Sequence, residues 1–402
     1  MKKIPFDNKI VSLLILFLWV FVITNCDHRD NRENGISNSP ILTTDILNDY
    51  IGYFNETEMQ EEETINYVSN ADSYDFLKRE IPLFTAPDSA IESTYYFRWW
   101  TFRKHLKETP AGFVWTEFIL PVSHDGNYNT ISSALGHHIN EARWMRSNKY
   151  LDQYIAFWLI RDRYMDQSYH HSYSSWLSDA VYNRYLVNGD TVFFVSLINE
   201  LDEDWLEWER RRGVANGMFW QYDVRDAMEE SISGSRTEEN IRPTINSYMY
   251  GRAKALSTMA EMVGNDSLQT VYEERAENLK ELVHEYLWNE ESQFFEVMHE
   301  DGSLANVREA IGFIPWYFNL PRDEEEYAQA WLQINDEEGF DAPMGLTTAE
   351  RRHPDFRSSG IGTSEWDGAI WPYATTQTLK GLANLLTNYE NHPMTKDDYY
   401  RH

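Results

Sequence analysis

DTVFFVSLINELDEDWLEWERRRGVANGMFWQYDVRDAMEESISGSRTEENIRPTINSYMYGRAKALSTMAEMV, residues 190–263, carries the pattern that decides the fold. Over 190–211, and again over 242–263, apolar residues return every third or fourth position, the period of an α-helix that buries one face. Between them lies 213–241, a connection too long for a simple turn and loaded with Trp, Gly and charge. The same helical period appears near 88–107, 130–146, 149–164, 173–187, 268–287, 307–318, 323–335 and 370–389. Alternation of the strand kind is nearly absent; Phe294-Phe295-Glu296-Val297 alone suggests a short hairpin strand. Short turns alternate with the long connections 109–129, 213–241 and 336–369. Short turns at one end and loaded loops at the other suit an all-α toroid of helical hairpins around a cavity, the (α/α)6 barrel. That barrel needs about twelve helices, and the pattern supplies about ten, so its last helices are expected to be missing.

The composition narrows the partners. Sixty-five acidic against 35 basic residues leave a net charge of −30, a field that repels phosphate backbones, so nucleic acid is not expected. Fifteen Trp, 25 Tyr and 20 Phe supply flat faces, which serve helical cores and also stack on sugar rings. Cys26 is the sole cysteine and precludes an intramolecular disulfide. It follows Lys2, Lys3, the apolar run Ile10–Ile23 and Thr24-Asn25, the layout of a bacterial lipoprotein signal whose cysteine takes the lipid. Residues 1–26 are therefore expected to be the signal, with Cys26 lipidated and the product anchored at the cell envelope by lipid only. Residues 27–87 would form a tether and lead-in, and 88–402 the catalytic-type domain. The sequence is silent on oligomeric state.

Three long connections hold the conspicuous side chains. The first region includes Trp99 and Trp100, followed by His137-His138. Adjacent residues on a helix point about 100° apart, so the two histidines would not share an ion, and no metal site is expected. His137 is taken as a sugar hydrogen-bonding group. The second, Gly217–Gly234, offers Asp223, Asp226, Glu229 and Glu230 beside Trp220; the third, Gly360–Tyr373, offers Glu365 and Asp367 beside Trp366 and Trp371. Carboxylates next to Trp can be kept protonated by desolvation, and glycoside hydrolysis needs two of them, one as acid and one as base or nucleophile. Trp220, Trp366 and Trp371 would shape the sugar pocket, with Gln221 and Arg225 on hydroxyls. This chemistry requires no cofactor.

Longer strings add a resemblance. Ala227-Met228-Glu229-Glu230-Ser231 resembles the Ser/Asn-Gly-Met/Leu-Asp-Asn/Asp-Ser/Ala string of the family 63 and mannosylglycerate-hydrolase-like glycosidases, whose Asp is the general acid. Trp366-Asp-Gly-Ala-Ile-Trp371 resembles their Trp-Arg-Gly-Pro-Ile-Trp string, part of the sugar site. Arg98–Arg103, Tyr128–Ile131 and Ile314–Tyr317 also resemble relatives of this group, in the expected order over about residues 90–390. Trehalases share the architecture. The resemblance puts Glu229 in the acid's place, one methylene longer than the family's Asp, and leaves Asp226 as the alternative acid. Asp367 stands where the family has Arg, and Ala369 where it has Pro, which bears on sugar specificity. In those families the base is a Glu tens of residues beyond the Trp-rich string; here either Glu365 serves or the chain lacks its base.

The expected function is an inverting glycosidase acting on a carbohydrate. Two alternatives stand beside it: a carbohydrate-binding pseudoenzyme without a base, and a sugar epimerase or polysaccharide lyase on the same toroid.

Overall fold

The computed structural model describes residues 42–58, 67–123, 127–160, 170–226, 228, 230–358 and 366–402. Everything below lies in the compact unit Thr44–His402. The helices are α1 (Asp45–Thr57), α2 (Ser73–Glu80), α3 (Ser89–Lys104), α4 (Leu135–Ala142), α5 (Lys149–Leu159), α6 (Leu177–Asn188) and α7 (Thr191–Val195). They continue with α8 (Ile198–Arg212), α9 (Pro243–Met262), α10 (Asp266–Leu287), α11 (Ile314–Tyr317), α12 (Glu325–Ala328), α13 (Pro372–Asn388) and α14 (Lys396–Arg401). Short antiparallel hairpins sit at the margins: β1 (Leu106–Thr109) with β2 (Gly112–Trp115), β3 (Trp288–Asn289) with β4 (Phe294–Phe295), and β5 (Asp341–Ala342) with β6 (Gly345–Leu346). Phe294 and Phe295 are thus strand residues, as their alternation suggests.

Local chemistry sets the helix boundaries. Asp88, Asp190 and Asn265 cap α3, α7 and α10 by accepting the backbone N–H of Ala90, Phe193 and Leu268. Pro243 and Pro372 occupy first-turn positions, where a missing N–H costs nothing and the fixed φ suits a helix. Gly189, at φ +67°, ends α6. The expected segment 190–211 is two helices rather than one, because Ser196 and Leu197 turn the chain between α7 and α8.

Every second long element belongs to an inner row. α4 packs on α6, α6 on α9, α9 on α11 and α11 on α13, while α5, α8 and α10 lie outside this row. α9 is buried on almost all sides, from Pro243 to Ala260. Two glycines allow the inner elements to close up. A Cβ on Gly136 of α4 would lie 2.1 Å from the Trp176 indole, and one on Gly251 of α9 would lie 2.1 Å from the Phe318 ring. On the outside, α1 packs across α3, where Trp100 Nε1 donates to Asn55 Oδ1 at 2.8 Å. Among the described residues no helix is long and apolar enough to cross a membrane.

Candidate active site

The segments that lead into the inner helices all gather at one end, and hydrogen bonds link each to the next. Ser132, before α4, donates its hydroxyl to the Tyr173 carbonyl before α6, at 2.7 Å. Ser174 N–H donates to the Arg225 carbonyl at 2.9 Å, and the Gln221 amide donates to Ser172 O and Ser174 Oγ, joining the α6 segment to the long connection before α9. That connection is fastened in turn to Glu309. Its carboxylate accepts from Ile232 N–H at 2.8 Å, from Ser233 N–H at 3.5 Å and from the Ser233 hydroxyl. The next residue, Ala310, donates to the Thr348 carbonyl at 2.8 Å. The Thr348 hydroxyl donates to Ala369 O at 2.9 Å and accepts from Gly368 N–H at 3.1 Å. Tyr373 then closes the circuit by donating to Ser133 O at 3.1 Å.

Below this ring lies a charged centre with no access to solvent. Arg242 and Asp226 have fully buried side chains, and Arg242 Nε donates to Asp226 Oδ2 at 2.9 Å. The Thr244 hydroxyl donates to the same oxygen. Burial pushes the Asp226 carboxyl up and Arg242 pulls it back, leaving it raised. Asp223 and Glu309 behave likewise: desolvation lifts both, and Arg242 offsets part of it. One guanidinium is therefore bonded to one buried carboxyl and offsets the burial of two more through its charge alone. Next to this centre, Gln377 of α13 donates to the Tyr248 hydroxyl at 2.8 Å, and Tyr373 is close enough to Asp226 to feel its charge.

At the rim the rings form a stack. Trp366 and Trp371 lie parallel, 4.3 Å apart at 3°, and Tyr373 stacks on Trp371 at 4.6 Å. Asp367 between them is buried and ion-paired with Arg357. The negative residue that replaces the resembled family's Arg therefore has its own cation ten positions earlier.

The structure sorts the sequence-derived candidates. Trp366, Trp371 and Asp367 come together at the rim. Trp220 is buried beneath the Arg212 guanidinium, 4.3 Å from its ring, and Gln221 is buried and committed to the 172–174 segment. Arg225 lies over Tyr173 at 4.8 Å. His137 meets Trp176 and Tyr373 edge-on, and burial lowers its pKa to about 4, so it is neutral. Trp99 and Trp100 are corrected: both are core residues, 3% and 1% exposed. On α3 they share the inward stripe with Tyr96 and Arg103, whereas Arg98 is exposed and Phe102, half-buried against Trp115, borders a cleft. Glu229, Glu365 and Cys26 lie outside the described residues.

Sequence reasoning missed Arg242, Glu309, Tyr248 and Gln377. Arg242 had one available signal, its place directly before the helix-starting Pro243. Glu309 had a weaker one, its place directly ahead of the apolar run Ala310–Tyr317.

A cleft of about 910 Å³ opens beside the stack. Its walls come from α3 (Arg98, Phe102), α4 (His137, Asn140) and α13 (Tyr373, Lys380).

The mannosylglycerate hydrolase MGH1-like glycoside hydrolase domain model matches residues 127–402. A solved structure of a sialidase is 48% identical, with a TM-score of 0.86 over 90% of this chain and 33% of its own. A rhamnosidase from Klebsiella oxytoca, solved with rhamnose bound, is 11% identical with a TM-score of 0.52, covering 76% of this chain and 53% of its own. An uncharacterized protein of Borreliella burgdorferi is 20% identical over 203 residues, half of this chain and 41% of that protein. The chain thus spans about a third of the sialidase and two fifths of the Borreliella protein. The mostly helical architecture is that of the six-hairpin glycosidases.

Proposed function

The chain belongs to the mannosylglycerate hydrolase MGH1-like glycoside hydrolase domain family, and from that premise we propose that it hydrolyses a glycosidic bond with two carboxylates and inversion at the anomeric carbon. One observation carries the reading. The connection with the acid candidates and the connection with Glu365 are both fastened to a single pair, Glu309-Ala310 on one side and Thr348 on the other. Such a shared fastening ties the described parts of the two connections to each other, and two-carboxylate hydrolysis requires that its two loops keep a fixed relation.

Within the first loop we assign the proton donor to Glu229. Asp226 is committed to Arg242 and Thr244 and has no exposed surface, so it positions the loop rather than touching substrate. Glu230 is paired with Arg236 at the surface. Glu229 would protonate the departing oxygen while Glu365, as base, takes a proton from water attacking the anomeric carbon from the opposite face. The Trp366–Trp371–Tyr373 stack offers the apolar wall for a sugar ring. We also propose that lipid on Cys26 holds the domain at the cell envelope.

The test is Glu229→Gln, measured on two substrates. Turnover of an alkyl glycoside, a poor leaving group, should fall about 10²–10⁴-fold, while an activated aryl glycoside loses far less. Equal losses on both would remove Glu229 from the acid role. Wild-type turnover would move the role to another carboxylate.

A further inference from the structure

We propose that the 910 Å³ cleft contains a carboxylate-binding subsite, built by Arg143 and Lys380, that selects an oligosaccharide bearing a uronate-type acidic sugar. The proposal rests on the glycosidase reading for its place in the reaction, but it concerns binding and is tested without turnover.

The cations of the inner helices and loops divide into those that hold a carboxylate and those that do not. Arg98, Arg184, Arg242, Arg308 and Arg357 all hold carboxylates. Arg143 and Lys380 do not: among the described residues, neither has one within 4.0 Å. Both line the cleft. Arg143 Nη1 donates to Asn140 Oδ1 at 2.9 Å, and its Nε is buried without a partner. Lys380 donates to Asn384 and lies 5.5 Å from the Tyr317 ring centroid. Each cation is thus held in place by neutral groups, with donors left over for an anion.

The surrounding charges sharpen the preference. Arg98 is occupied by Glu141 at 2.7 Å. His137 and His138 are neutral, with pKa values lowered by burial to about 4 and about 3. Asp179 on α6 is an acid whose charge both cations feel, yet burial pushes its carboxyl up to about 7, so it is only partly ionised at neutral pH. Its side chain accepts from Asn183 at 2.8 Å. Glu117 is the other acid of the cleft lining; with Arg98 and Glu141 cancelling, Arg143 and Lys380 outweigh Glu117 and a partly ionised Asp179, which leaves an excess that an incoming carboxylate offsets.

Length identifies the ligand as more than one ring. Tyr373 and Lys380 stand seven residues apart on α13, about 10 Å along the helix. A sugar on Tyr373 and the aromatic stack would therefore need a further unit to bring a carboxylate to Lys380. The cleft volume is within the range of pockets that enclose such ligands.

The experiment is calorimetric titration of the full chain with a glucuronate-containing disaccharide and with its neutral glucose counterpart. The wild type should bind the acidic sugar at least about tenfold more tightly, a gap that narrows with added salt. Lys380→Met, a change at a solvent-facing position, should close most of that gap and leave the neutral sugar's affinity in place. Asp179→Asn should tighten the acidic sugar several-fold above pH 7 without moving the neutral one. Equal affinity for the two sugars, no binding of either, or a preference that survives in both Lys380→Met and Arg143→Gln would overturn the subsite. Loss of hydrolysis in Glu229→Gln with the binding preference intact would concern the catalytic assignment alone.

Discussion

Asp179→Asn tests the electrostatics of the inner helices most directly, because the same burial that raises the carboxyl must destabilise the fold. The Asp179 pKa rises from 3.8 to about 7 through desolvation, against the pull of Lys380 and Arg143 and the Asn183 hydrogen bond. The folded state therefore binds this proton more tightly than the unfolded chain does. Its contribution is fully present below the unfolded pKa near 4 and is lost as pH rises through about 7. Three units at about 1.4 kcal/mol each set a ceiling of roughly 4 kcal/mol at pH 8. Asp179 is partly accessible, so water screens it, and about half of the ceiling is the better expectation. The amide oxygen of the variant can still accept from Asn183, so packing should survive. The variant's stability gain at pH 8 should exceed its gain at pH 5 by roughly 1–3 kcal/mol, read as chemical-denaturation midpoints at both values. The neighbours that could mask this titration are few. Arg143 and Lys380 stay charged across the range, and Tyr317, raised by burial, stays neutral. A gain that is identical at the two pH values, or a loss at pH 8, would refute the reasoning.

Three further outcomes are expected. Glu309→Ala removes the acceptor of three donors in a buried site and should cost roughly 3 kcal/mol, with faster proteolysis within 226–236 as the local readout. Gly136→Ala places a methyl against Trp176 and should destabilise by about 1–3 kcal/mol; an unchanged melting temperature would mean that α4 can shift freely. Cys26→Ser should abolish palmitate incorporation in growing cells, and labelling equal to wild type would remove the proposed lipid anchor.

Most helices were legible because they bury one stripe, and a stripe leaves a three-to-four-residue rhythm in the chain; α9, buried on almost all sides, shows it least. The rhythm did not separate α7 from α8, since both continue the same apolar spacing across Ser196 and Leu197. It also could not say which side of α3 lines the cleft. Trp99 and Trp100 looked like sugar platforms, but α3 is flanked by α1, whose Asn55 and Phe54 claim the indole of Trp100. The Trp-rich rim was readable because Trp366, Asp367 and Trp371 are near one another in sequence. The centre beneath it was not. Arg242 and Glu309 are separated by 67 positions, and Arg143, Asp179 and Lys380 come from three different segments, so only the packed fold brings them together.

The fastening through Glu309 and Thr348 bears on how this domain can be recombined. The 217–236 and 366–371 loops are tied to one pair of residues, so neither is a separable module. A chimera that imports a relative's first loop while keeping the native 309 and 348 would present that loop to foreign anchors. Specificity grafting here should therefore succeed only when both loops and their common anchor are transplanted as one inherited block.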